Sequence, residues 1–221
     1  MRFFRHLVPI ALLGVVAACE THDVAGVGGQ TGAMVRVVNA TGTPIDVVTG
    51  GGVSTGNGAL AFGASTGCLN VDAAAPNVVI RPTGSTAAVS GSLPALATGT
   101  KYLVIVYPGP AGAPTLATLA GTTMPSSGRT TLRVFDALQG STPYDVYVTA
   151  PSAALGTPTF TNLAYGFSTA FMETVAGGRQ IRFTDVNSSN VVIDAGTQTL
   201  VADKSMTFIL AVPSSILLTN C

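Results

Sequence analysis

The sequence predicts an all-β protein of two tandem domains, and three observations carry that prediction. Short β-branched and aromatic runs recur along the chain, each closed by Gly, Pro, Asn or Asp. No amphipathic helical pattern longer than two turns follows residue 19, and Ala73-Ala74-Ala75 is cut short by Pro76. Six-residue segments of the first half return in the same order in the second half. With turn signals every 8 to 15 residues and units of about 90 residues, the expected fold is two immunoglobulin-like antiparallel β-sandwiches, although the core Trp and the intradomain Cys pair of immunoglobulin domains are missing.

Residues 1–18 read as a secretion signal. Arg2 and Arg5 supply the positive start, and Leu7 to Ala18 is a run of 12 uncharged residues. A membrane-spanning helix needs about 20 apolar residues, so the run is too short to span but suits the apolar centre of a signal peptide. It ends Val16-Ala17-Ala18-Cys19, which resembles the bacterial lipobox. That resemblance implies cleavage before Cys19 and a lipid on its sulfur, and with it a stable membrane tether, since such lipoproteins carry more than one acyl chain. Without lipidation, the segment would be an ordinary secretory signal with Cys19 incidental. Residues 19–32 are small, polar and Gly-rich, as suits a flexible tether. Glu20 leans toward an outer-membrane or periplasm-facing location in the cell envelope.

The two domains are expected at residues 33–122 and 130–221. Val35-Arg36-Val37-Val38-Asn39-Ala40 is echoed by Leu132-Arg133-Val134-Phe135-Asp136-Ala137. Thr43-Pro44-Ile45-Asp46-Val47-Val48 is echoed by Thr142-Pro143-Tyr144-Asp145-Val146-Tyr147, and Ala61-Phe62-Gly63-Ala64-Ser65-Thr66 by Ala164-Tyr165-Gly166-Phe167-Ser168-Thr169. Ile80-Arg81 aligns with Ile181-Arg182, and Leu116 to Leu119 with Ile216 to Thr219. The clearest strands are Lys101 to Tyr107, bounded by Gly99 and Pro108-Gly109, then Tyr144 to Val148, Gln180 to Thr184, and Met206 to Val212, which Pro213 stops.

These paired motifs resemble the bacterial domain-of-unknown-function family numbered 4397. The second copy, Leu-Arg-Val-Phe-Asp-Ala followed by Pro-Tyr-Asp-Val-Tyr-Val, fits better than the first, which departs at Gly50-Gly51-Gly52. The resemblance implies a fold, a tandem arrangement and an exported location. It brings no activity and no catalytic residues.

Composition narrows the function. Removing residues 1–18 leaves 8 basic side chains against 10 acidic ones, a balance of −2, so no basic field would draw nucleic acid. Charged residues are 9% of the chain, and Gly and Pro number 26 and 13, a surface of Thr, Ser, Gly and Asn with many turns. Beyond Cys19, Cys68 and Cys221 remain, and in an oxidising compartment they are expected to pair rather than persist as free thiols. Such a bond would fix the two domains as a rigid rod.

Candidate chemistry is sparse. Gly63-Ala64-Ser65-Thr66-Gly67 has the spacing of a nucleophile elbow, but no helix follows and the one histidine past residue 18, His22, lies in the tether. Arg36 with Asp46, and Arg133 with Asp145, are expected to form structural cross-strand ion pairs. Asp185 to Asn190 reads as a turn rather than a calcium loop. No metal or cofactor site is expected. Tyr144, Tyr147 and Tyr165, with Phe160 and Phe167, offer an aromatic surface that could bind a ligand such as a carbohydrate. The expectation is a non-catalytic, lipid-anchored envelope protein with a structural, interaction or adhesive role. Its partners would be the membrane, through the N-terminal lipid, and an envelope protein or glycan. The alternative is a ligand-binding lipoprotein using those aromatics.

Overall fold

The computed structural model describes residues 32–49, 52–53, 59–89 and 93–221, and these contain strands and no helix. The first domain has an inner sheet ordered β4-β1-β6-β7, built from Leu69–Asp72, Gly32–Asn39, Lys101–Pro108 and Pro114–Ala120. Facing it is an outer sheet ordered β3-β2-β5, from Gly52–Val53, Ile45–Thr49 and Val78–Pro82. The second domain repeats the plan. Its inner sheet is β11-β8-β14-β15, from Met172–Val175, Arg129–Asp136, Lys204–Leu210 and Ile216–Thr219. Its outer sheet is β10-β9-β12-β13, from Phe160–Leu163, Tyr144–Thr149, Gly177–Asp185 and Val191–Leu200. The all-β sandwich expectation holds. Pairing is antiparallel apart from one parallel pair at the centre of each inner sheet, β1 with β6 and β8 with β14.

Strand register corrects part of the repeat alignment. Asp46 opposes Arg81 and Val47 opposes Ile80, whereas Asp145 opposes Thr184 and Val146 opposes Phe183. Ile80-Arg81 therefore corresponds to Phe183-Thr184, two residues beyond Ile181-Arg182. Val104 opposes Thr118 and Phe208 opposes Leu217, so Thr118 matches Leu217 rather than Leu218. Small residue-count differences in the loops allowed the motifs to be matched out of register.

Three apolar layers hold the molecule together. Val35, Val37, Ile45, Val47, Val104 and Val106 fill the space between the first domain's sheets. Leu132, Val134, Val146, Ile181, Phe183 and Phe208 do the same in the second. The third layer lies between the two inner sheets and draws on both domains: Val38, Leu103 and Ile105 meet Phe135, Ile209 and Ile216. The inner strands are thus buried on both faces, which is why Leu103 to Val106 and Met206 to Leu210 carry no polar alternation beyond Thr207. The domains stack face to face as four sheets. A rod joined end to end, expected from the disulfide alone, is not what forms, because each inner sheet has a second apolar face that needs cover.

The inner sheets run in similar directions across this interface. Tyr107, late in β6, packs edge-on to Phe135, late in β8, at 5.2 Å, and Gln139 after β8 donates to Gly109 O after β6 at 2.8 Å. At the opposite pole, Thr131 in β8 donates to Thr123 O, and Lys101 at the start of β6 donates to Cys221 O at 2.8 Å. Gly32, where β1 starts, belongs to this second pole.

Candidate functional site

The expected ion pairs do not form. Arg36 and Asp46 lie on strands of opposite sheets, as do Arg133 and Asp145, because β1 crosses to the outer sheet before β2 begins and β8 does so before β9. The arginines instead reach across the interdomain layer in a reciprocal exchange. Arg36 Nη1 donates to Thr219 O at the end of β15, and Arg133 Nη1 donates to Ala120 O at the end of β7 (3.2 Å). Thr219 and Ala120 occupy equivalent positions, so two repeat arginines bind one another's domain about a pseudo-twofold axis, like an isologous interface within one chain.

Around each arginine the two domains differ. Arg133 is 4% exposed; its Nε donates to Thr207 Oγ1 at 3.0 Å and its guanidinium carbon lies 4.6 Å from the Phe171 ring centroid. Burial lowers its pKa to about 10. Its Nη2 has no hydrogen-bond partner among the described residues. The residue equivalent to Phe171 is Cys68, whose sulfur lies 3.6 Å from Arg36 Nη2 and is bonded to Cys221. The disulfide expected from the sequence is therefore present, with a Cα–Cα distance of 5.8 Å, and ties the first domain to the end of the second.

The aspartates serve other ends. Asp46 faces Arg81 across β2 and β5 at 3.9 Å and accepts from Thr83 Oγ1 at 3.0 Å. Asp145 is buried and accepts the backbone N–H of Asn162 and of Asn187, each at 3.0 Å. Those asparagines have φ of 57° and 61°, so one carboxylate fixes two left-handed turns. The segment from Asp185 to Asn190 is the expected turn between strands, closed by Ser188 N–H to Asp185 O at 3.0 Å.

Ser65 lies in a β-bridge with Val38, and its counterpart Ser168 in a bridge with Phe135. Gly63 and Gly166 both have φ of 77°, so a left-handed turn accounts for the glycine that opens the elbow-like motif. Thr66 and Thr169 then accept the N–H of Val37 (2.9 Å) and Val134 (3.0 Å). The motif is a structural clasp shared by both domains.

Tyrosines do not make the expected aromatic surface. Tyr144 and Tyr147 are 7% and 4% exposed. Tyr165 is half-buried, donates its hydroxyl to Pro108 O and packs edge-on to Tyr107 at 5.7 Å. Burial raises the pKa of Tyr107, Tyr144 and Tyr165. Among the described residues the exposed aromatic is Phe167, at 66%. It overhangs an open groove of about 600 Å³ between β10 and the segment leading to β11, lined also by Phe160, Leu163, Ser168 and Thr169 and by no charged side chain. The first domain has Ala64 where the second has Phe167. Beneath this pole lies Asp136, fully buried, accepting from Leu138 N (2.8 Å) and Ser141 Oγ (2.7 Å). Burial raises its pKa, and both hydrogen bonds oppose the rise. Its counterpart is Asn39, and no feature of the sequence alone marks the buried charge.

Cys19, the lipidation candidate, lies outside the described residues. The fold and its groove define a two-sandwich β protein with an open groove lined by no charged side chain in the second domain. Residues 130–219, nearly the whole of that domain, match the model of a domain of unknown function (DUF4397). No curated protein matches the chain.

Proposed function

We propose that this is an exported bacterial lipoprotein, held in the cell envelope by lipid on Cys19, with a non-catalytic structural, interaction or adhesive role outside the cytoplasm. The observation that carries the proposal is the Cys68–Cys221 disulfide. Such bonds persist in oxidising compartments, and here one joins the sandwiches of a chain whose residues 16–19 match a lipobox. On this reading the first sandwich is a second copy of the family domain. Residues 20–31 would lead from the lipid to the pole where β1 begins, leaving Phe167 and its groove at the pole away from the membrane. That placement suits a surface that meets an envelope protein or glycan.

Intact mass spectrometry of membrane-extracted protein tests the anchor. The expected mass is residues 19–221 plus acyl chains, rising by two hydrogens on reduction. An unlipidated mass would make the protein soluble and secreted and would remove the envelope role.

A second reading, ligand binding, is supported by the groove, with Phe160 and Phe167 as contacts in place of Tyr144, Tyr147 and Tyr165. Binding to an oligosaccharide array that Phe167→Ala abolishes would favour it. No binding by the unaltered protein would leave the interaction role.

A further inference from the structure

The disulfide is placed as a reactive group as well as a clasp. Cys68 is exposed and Cys221 partly so. Two cations flank the bond: Arg36 Nη2 lies 3.6 Å from Cys68 Sγ, and Lys101 Nζ donates to the main-chain oxygen of Cys221 at 2.8 Å. The carboxylate on neighbouring β4, Asp72, accepts from Ala74 N at 2.9 Å. Thiolates are stabilised beside cations, and a disulfide opens faster when its leaving sulfur is so stabilised. At the equivalent place in the second domain, Arg133 stacks on Phe171 and no sulfur is present. The guanidinium–sulfur contact is therefore particular to the first domain's arginine.

We propose that Cys68–Cys221 is a thiol–disulfide exchange site in which Cys221 is the sulfur attacked and Cys68 the leaving thiolate. An incoming thiolate from a small thiol or a dithiol reductant attacks Cys221 Sγ. A sulfur–sulfur bond forms between reductant and Cys221, the Cys68–Cys221 bond breaks, and its electron pair leaves on Cys68 Sγ, which Arg36 Nη2 meets. A second reductant thiolate then attacks the reductant sulfur of the mixed disulfide and releases Cys221 as thiolate. The protein disulfide gains two electrons, the reductant becomes a disulfide, and the thiolates take protons from water. Arg36 acts on the leaving sulfur directly, and Lys101 is a positioning residue that holds Cys221 in place.

Reduction breaks the covalent tie between Cys221 and the first domain, while Asn220 stays bonded to Ser205 and Thr207 and Lys101 still meets Cys221 O. The interdomain layer of Val38, Leu103, Ile105, Phe135 and Ile209 stays closed, so the change is confined to the pole where β1 begins.

The test uses the folded, oxidised full chain and glutathione as the probe. Samples quenched in acid are mapped for the position of the glutathione adduct. The adduct is expected on Cys221, and Arg36→Gln should slow opening by roughly threefold or more. In the reduced chain at neutral pH, iodoacetamide should modify Cys68 ahead of Cys221, and Arg36→Gln should remove that lead while Arg36→Lys keeps part of it. An adduct on Cys68, or no opening by glutathione in the folded protein, overturns the proposal. So does an unchanged rate in folded Arg36→Gln. Should Arg36→Gln fail to fold, the position of the adduct in the unaltered chain decides alone.

Discussion

In the first domain, the edge beside β5 has no further strand among the described residues: residues 83–89 and 93–100 loop back, burying Val89, Leu93 and Leu96. In the second, the same stretch of chain forms β13, 10 residues that extend the outer sheet beside β12. The remaining strand order is common to both. The elements facing the partner domain are alike, down to an arginine that crosses to the end of the other domain's last strand. The differences are concentrated where the two domains need not match: a free sheet edge, the loops at the poles, and the residue beside each arginine. β13 shows how an unpaired edge is managed. Its ladder shifts register opposite Gln180 to Arg182, and Gly196 there has φ of 71°. A bulge of this kind twists the edge away from strands of other molecules.

The strongest test of this comparison is the shared layer between the domains. Phe135 is fully buried there and packs on Tyr107. Phe135→Ala is expected to cost about 3–5 kcal/mol in chemical denaturation, and Val38→Ala, at the equivalent position, less because fewer atoms are lost. Both domains should unfold in one transition, since each uses the other to cover an inner sheet. Two separated transitions in the unaltered protein would show that the layer does not couple them.

Next is Asp145, equivalent to Asp46 in sequence but not in role. Asp145→Ala would leave the N–H groups of Asn162 and Asn187 without their acceptor and release two left-handed turns. The expected loss is roughly 2–3 kcal/mol, with faster amide exchange at both asparagines. A loss below that of an ordinary surface substitution would mean that the turns hold themselves.

Much of this was legible in the residues, and the missed part has a physical cause. Lys101 to Tyr107 and Met206 to Val212 read as strands from their composition, and the strands formed end at Pro108 and Leu210. Their unbroken apolar character also signals burial on both faces, yet a sequence does not say which two faces meet. Arg36 and Arg133 stood out because they recur, but recurrence is equally produced by contact within a domain and by exchange between domains. Pairing them with Asp46 and Asp145 assumed that consecutive strands share a sheet, and here they cross between sheets. Cys68 and Cys221 were identifiable because few cysteines remained to pair. Tyr144 and Phe167 are both aromatic residues near turns, and only the packing of the outer sheet separates the buried one from the exposed one.

A smaller effect is expected at Asp136. Burial holds its carboxyl above the ordinary carboxylate range. Between the ordinary and the raised value the folded state binds more protons than the unfolded state, so this group makes stability fall as pH rises through that window. The first domain carries Asn39 at this position, also fully buried. Asp136→Asn should therefore remove that part of the pH dependence and stabilise the protein near neutral pH by roughly 1 kcal/mol. Thermal melts from pH 3 to 8 would show it. A variant less stable than the parent at pH 7 would mean that the ionised carboxylate, with Leu138 N–H and Ser141 Oγ, is worth more than its desolvation costs.

The smallest expected effect is at Asp46, and it completes the contrast with Asp145. Asp46 and Arg81 are 3.9 Å apart with partly exposed side chains, and the Asp46 carboxylate accepts a hydrogen bond from Thr83. Ion pairs of this kind contribute about 0–1 kcal/mol because water and salt screen them. Asp46→Asn keeps an acceptor for Thr83 and should change stability by no more than ~0.5 kcal/mol, an effect that shrinks further in added salt. The asymmetry has a structural origin. Asp145 stands beneath turns whose backbone N–H groups point into the domain, whereas Asp46 faces a flexible guanidinium that water also reaches. A loss at Asp46 as large as that at Asp145 would mean that the carboxylates share a role despite their different surroundings, and that Arg81 is a stronger partner than its distance suggests.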